Sequence, residues 1–503
     1  MRKTLVTLFA ALMIVSMLAA CAPAATPTAQ VVIQTQVVKE TSVVVQVQTQ
    51  QVMATQIVQI TNTPAPDRTQ VFWYIGLGAG SQPDQIPIEK AFVDKYNKSQ
   101  TEIQLVPIIV DNKYAKDNLL TQIAAGNAPD IVGPVGTAGR MLLPGAYLDL
   151  QPLVTQFNYD LSDVDPAFLQ FFKQEGKLVG LPFASYPEFI YFNRKLFDEA
   201  KLAYPPQKVG DKYTFDGKQY DWTFDTMAMV AKRLTVDKNG VSSDQAGFDK
   251  NNIVQYGWVP QWTDNARAVA TLFGAYYPFD SSGKAQFPPS AVAAIKYYYD
   301  AMWGAQPFAP GAAAINGDLM KGNAFSSGHV AMGTTHMWYT CCIDAKTVPS
   351  WDAAIMPSYN GKITAKLHGD TFAIMAATKN PTAAFKVYTY MLGAGAPDLY
   401  TLYGAFPARK GNQAAYIDSL NKKFAPNKVN WQPALDMIQY MDVPNHEYVA
   451  TPDGVTPTGA SYNKIYNTDL LAMTAKLQAG PGVDIDKLIA DYTTLLTADW
   501  ATK

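Results

Sequence analysis

Hydrophobic positions fall into three textures along the chain. Residues 5–20 form an apolar run broken only by Thr7 and Ser16, placed behind Arg2 and Lys3 and ending in small residues, the layout of an export signal. The run is shorter than the ~20 residues that span a bilayer, so a retained membrane helix is the weaker reading. Residues 22–67 are nearly all Ala, Pro, Thr, Gln and Val, a composition that lacks the Leu and aromatic content of a core and reads as a tether, with Pro64 and Pro66 at its end. Its Val-rich patches, such as Val43-Val44-Val45-Gln46-Val47-Gln48, also suit β-strands.

The third texture is that of a folded body. Val71-Phe72-Trp73-Tyr74-Ile75 predicts a buried strand, and Gly76-Leu77-Gly78-Ala79-Gly80-Ser81 a flexible loop. Ile88, Phe92, Val93 and Tyr96 recur at helical spacing, 103–108 reads as a strand, 114–125 as a helix ending at Gly126-Asn127, and Asp130-Ile131-Val132 as a third strand. This β-α-β-α-β alternation predicts an α/β fold with a mostly parallel sheet covered by helices. Further on, 178–183 reads as a strand, and helices are expected at 225–234 behind a Thr223 cap, then at 266–274, 291–303, 381–392 and 470–477. No fixed-period repeat is present, which excludes a solenoid or propeller.

Composition narrows the function. The 503 residues are 48% hydrophobic and 16% charged, enough for two to four domains or one large bilobal body and too apolar for a disordered polyelectrolyte. Forty basic against 42 acidic residues leave a net charge of -2, which argues against a nucleic-acid partner. Dinucleotide, P-loop, GxSxG and HExxH patterns are absent, so no cofactor and no metal site is expected. His329 and His336 read as polar side chains of a loop or pocket wall. A carboxylate pair at glycosidase separation stays open, because that spacing is spatial. Adjacent Cys341 and Cys342 read as free buried thiols, with a vicinal disulfide as the alternative in an exported chain.

Two resemblances follow from particular residues. Leu18-Ala19-Ala20-Cys21 resembles a bacterial lipobox, which implies a signal peptide over 1–20, lipidation of Cys21 and a lipid-anchored tether over 21–68. Leu119 through Val132, containing Ala124-Ala125-Gly126-Asn127-Ala128-Pro129-Asp130-Ile131-Val132, with Gly145-Ala146-Tyr147-Leu148-Asp149-Leu150, Gly176 through Phe183, Tyr191-Phe192-Asn193-Arg194-Lys195-Leu196-Phe197, Phe325 through Met332 and Tyr403 through Arg409, resembles the carbohydrate-type extracellular solute-binding proteins of bacterial ABC importers. Their fold is similar to that of maltose-binding protein.

That resemblance implies two lobes joined by hinge crossings near 183–186, 366–370 and 406–409, one lobe formed by 69–183 with 370–408 and the other by 184–369 with 409–503. It implies a monomeric binding subunit, not an enzyme, that captures a sugar or oligosaccharide outside the cytoplasmic membrane and delivers it to permease subunits. Sugars present apolar faces and polar edges, so aromatic platforms with hydrogen-bonding neighbours are sought among nine Trp and 28 Tyr. The implied ligand set is Trp338, Trp262, Gln261, Asp264, Tyr186, Asp370, Gly369, His368, Gly136, Thr137, Gly78 and Ser81, while Trp73, Trp303 and Trp351 are expected in the core. A secreted hydrolase, or a surface binding or sensory lipoprotein for another polar solute, is the alternative.

Overall fold

The computed structural model describes residues 57–59, 67–262 and 265–501. Cys21 and Asp264 therefore lie outside the described residues. Ten strands build one sheet: β1 (Ile57–Gln59), β2 (Thr69–Ile75), β3 (Ile103–Val110), β4 (Ile131–Val135), β5 (Ala184–Asn193), β6 (Val236–Asp237), β7 (Ile253–Pro260), β8 (Val330–His336), β9 (Trp351–Ala354) and β10 (Leu367–Ile374). Their order is β1-β3-β2-β4-β10-β5-β8-β7-β6, with β9 also paired to β5.

Each half of the sheet has a parallel centre. β2 lies between β3 and β4, parallel to both, because α1 (Ile86–Ser99) and α2 (Asn112–Ala124) carry the chain back across the sheet. β7 and β8 are parallel in the other half. The strands between the halves and at the edges are antiparallel.

β10 joins the halves. Its first four residues pair with β5, from Leu367 opposite Pro187 to Asp370 opposite Ala184, and from Thr371 onward it pairs with β4. Two other segments run beside this junction. Phe183 N–H donates to Asp370 O at 3.0 Å, Ala408 N–H to Phe183 O at 3.1 Å and Ser185 N–H to Phe406 O at 2.9 Å.

Local chemistry sets the element ends. The Asp111 carboxylate accepts Lys113 N–H at the start of α2, and the Thr223 hydroxyl accepts Thr226 N–H at the start of α3 (Phe224–Arg233). Trp73 and Trp351 are buried, and Trp303 is half-buried against the core.

Four expectations need correction. Residues 57–59, within the stretch read as a tether, form β1 and pair antiparallel with β3, since adjacent β-branched Ile57 and Val58 suit an edge strand. The strand predicted over 178–183 is only the pair Lys177–Leu178. The long strand begins at Ala184, because 179–183 is spent crossing beside Thr371, whose side chain would meet a Cβ on Gly180 at 2.6 Å. On α1, Ile88 is exposed and Glu89 is buried beneath Gly80. Burial pushes the Glu89 carboxyl up to about 7, against the pull of a hydrogen bond donated by Tyr403. Cys341 and Cys342, finally, are disulfide-bonded and not buried free thiols. Cys341 is exposed at the end of a short 3-10 turn, and exposed thiols outside the cytoplasm tend to oxidise.

Candidate functional site

The junction of the two sheet halves collects polar and aromatic side chains from distant segments. β8 ends at His336, and the 3-10 turn Met337–Cys341 turns Trp338 back over the sheet. Trp338 Nε1–H donates to His368 Nδ1 at 3.1 Å, and the two ring planes are within 12° of one another. A hydrogen bond of this kind lies in both ring planes, so Trp338 and His368 form one flat plate, edge to edge. His336 stacks on His368 with centroids 3.6 Å apart.

Trp262 extends the aromatic surface. Its ring is parallel to Trp338 within 9°, at a centroid distance of 6.2 Å, and its Nε1–H is fixed on Gly322 O at 2.9 Å. Its backbone φ of 50° is the left-handed region, uncommon for a bulky residue.

Polar groups flank the plate. Asp370, two residues beyond His368 on β10, has its carboxyl raised to about 6 by burial, with Glu447 acting the same way and His368 and Arg140 opposing. Arg140 lies on the short helix Thr137–Met141. Its Nη2 donates to Thr137 Oγ1 at 3.1 Å, its guanidinium sits 4.8 Å over the Phe172 ring, and its buried Nη1 meets no acceptor among the described residues. Glu447 Oε1 is 3.8 Å from His368 Nε2.

A cavity of about 730 Å³ opens between this helix, the loop 170–176 and the segment 441–456, with Arg140, Phe171, Tyr277, Asn445 and Tyr448 among its walls. Arg267 anchors the last of these segments from below. Its buried guanidinium donates to the backbone oxygens of Tyr276, Asn445 and His446.

The sequence signature of the bacterial extracellular solute-binding proteins matches residues 79–396. The chain belongs to that family. Three solved structures of similar fold extend the comparison over nearly the whole body. The ABC substrate-binding protein Lmo0181 from Listeria monocytogenes, in complex with cycloalternan, is 20% identical with a TM-score of 0.62 over 87% of this chain and 100% of that one. UspC of M. tuberculosis is 20% identical with a TM-score of 0.64, over 86% and 100%. The sugar-binding protein MalE from Xanthomonas citri is 16% identical with a TM-score of 0.63, over 86% and 98%. No curated protein sequence matches the chain.

For a solute-binding protein the positions expected to contact ligand divide into groups. Trp338, Trp262 and His368 share the aromatic surface, and Tyr186 pairs with His368 across β5 and β10. Gly136 and Thr137 precede Arg140, and a Cβ on Gly136 would lie 3.3 Å from Asp370 Oδ1, so these three are neighbours. Gly369 is buried where an added Cβ would meet the Phe171 ring at 2.7 Å, so a larger residue there displaces that ring.

The others stand apart from this surface. Gln261 is buried with its amide oxygen accepting Phe325 N–H at 3.1 Å, a bond that supports the Trp262 turn. Gly78 is exposed on its loop, and Ser81 Oγ accepts Asn112 N–H at 3.3 Å.

Sequence reasoning missed Arg140, Phe171, Glu447 and Tyr448. Their segments carry no motif; the fold brings Glu447 to His368 and sets Arg140, Phe171 and Tyr448 around the cavity. The expectation of no metal constellation rested on spacing along the chain, and the fold revises it: His336, His368 and His446 are gathered at one point. The family is one of binding proteins, acting outside the cytoplasm. Among the described residues no helix is long and apolar enough to cross a membrane.

Proposed function

We propose that the solute is an uncharged sugar or oligosaccharide, held between two lobes and delivered to the permease of an ABC importer. The observation that carries this reading is the flat Trp338–His368 plate with Arg140, Asp370 and Glu447 at its side. A pyranose offers weakly apolar C–H faces to such a plate and hydroxyls to the polar groups around it. One guanidinium beside two carboxyls gives no net cationic field, which favours a neutral ligand over an anionic one. The solved structures named for cycloalternan and for sugar binding support the same class.

In this reading Trp338, Trp262, His368, Tyr186, Gly369, Asp370, Gly136 and Thr137 contact or frame the ligand, joined by Arg140. The lobes are 69–183 with 370–408 and 184–369 with 409–503, hinged where 183–186, 366–370 and 406–409 run side by side. Closure then depends on the ligand touching both lobes, because only a differential affinity for the closed form shifts the equilibrium. The protein does no chemistry on the sugar. Cleavage before Cys21 and acylation of its thiol tether the body to the membrane.

A thermal-shift screen of the purified protein against mono- and oligosaccharides tests the ligand class, since a ligand of the native state raises its apparent stability. Stabilisation by at least one sugar is expected. A panel that leaves the melting temperature unmoved, with stabilisation by a charged metabolite instead, would overturn the reading.

A further inference from the structure

Three imidazoles converge beside the aromatic plate, and their grouping goes beyond what sugar stacking requires. His336 ends β8, His368 lies on β10 and His446 belongs to the segment 441–456, so three separate parts of the chain supply them. One ring nitrogen from each lies within 4.8 Å of the others. His336 and His446 are buried and His368 is half-buried.

Their neighbours orient them. Asp442 Oδ2 is 2.8 Å from His446 Nδ1, and the same carboxylate accepts the N–H groups of His446 at 2.7 Å and Leu367 at 3.0 Å and the Asn445 amide at 3.0 Å. A carboxylate so fixed holds the proton on Nδ1 and leaves the lone pair on Nε2, the arrangement found behind metal-ligating histidines. The indole N–H of Trp338 is only a donor, so His368 Nδ1 must carry a lone pair. The Glu447 carboxylate stands 3.8 Å from the other nitrogen of His368.

We propose that His336, His368 and His446 bind one divalent first-row transition ion of the zinc type. Imidazole nitrogens suit zinc, nickel or copper and not calcium or magnesium, which take oxygen ligands. Tetrahedral zinc keeps its nitrogen ligands at ~2.0–2.1 Å from the metal, hence roughly 3.3 Å from one another. The three rings therefore draw together on binding, and the stacked His336 and His368 rings turn out of their parallel arrangement. His368 can ligate through Nδ1 only by releasing Trp338. Ion binding thus reaches the aromatic plate directly, and the site is a second ligand site coupled to the first.

The test uses the chelator-stripped, tag-free full chain titrated with zinc, with magnesium as control, by calorimetry and by tryptophan fluorescence. One zinc per chain is expected, no magnesium, and a change in emission that is lost in Trp338→Phe. His368→Gln and His446→Gln are each expected to weaken zinc binding at least tenfold. Should the buried His446→Gln fail to fold, His368→Gln decides, because its side chain is partly solvent-exposed. Absence of saturable zinc binding, or stoichiometric binding undiminished in His368→Gln, would overturn the proposal. Neither result bears on sugar binding, which is measured without zinc.

Discussion

At the scale of single residues, Trp338 does two things at once. It offers an indole face, and its N–H fixes the imidazole of His368 in the same plane. Trp338→Ala removes both, and sugar affinity is expected to fall by ~1–3 kcal/mol, about 5- to 150-fold, as for buried aromatic anchors elsewhere. Calorimetric titration reads this, and an unchanged dissociation constant would remove Trp338 from the binding wall. Glu89 carries a different signature. With its pKa near 7 in the folded protein against an ordinary 4.5, the native state binds the proton more tightly than the unfolded chain. Stability therefore falls as pH rises through the window from about 4.5 to about 7 and levels off above it. Glu89→Gln should abolish that slope and stabilise the protein above pH 7 by on the order of 3 kcal/mol, as melting temperatures across the window would record.

At the scale of elements, local period and caps made much of the fold legible. β2, α2, β4 and the helix Pro381–Leu392 stand where apolar spacing and Gly or Pro signals predict them. The reading failed where a segment's fate is decided by its neighbours. Residues 179–183 have strand-like composition yet cross between the halves, and Ile88 continues a helical stripe yet faces water. Of the candidate site, the aromatic and β10 residues were readable through resemblance. Arg140, Glu447 and the three-histidine cluster were not, because residues remote in sequence meet only through the sheet order. The contact between Leu142 and the helix Gly459–Lys464 is of the same kind. A Cβ on Gly459 would lie 2.0 Å from Leu142 O, closer than any real contact, and backbone cannot yield as a side chain tip does. Gly459→Ala should cost about 1–3 kcal/mol of stability by overpacking, measured by urea unfolding. An unaltered midpoint would mean that the two segments separate freely.

At the scale of the whole molecule, a single mixed sheet passes through both halves, and β10 changes partners at Asp370 and Thr371. The proposed hinge lies where 183–185, 370–371 and 406–408 run side by side. The candidate ligand residues Tyr186, His368, Gly369 and Asp370 lie at that junction. The most direct measurement is a crystal structure of the protein with the most stabilising sugar of the thermal-shift panel. A sugar ring lying against Trp338, with hydroxyls reaching Arg140 or Asp370 from the opposite half, is the predicted result. A sugar bound away from the Trp338–His368 plate, touching one half of the sheet alone, would contradict it.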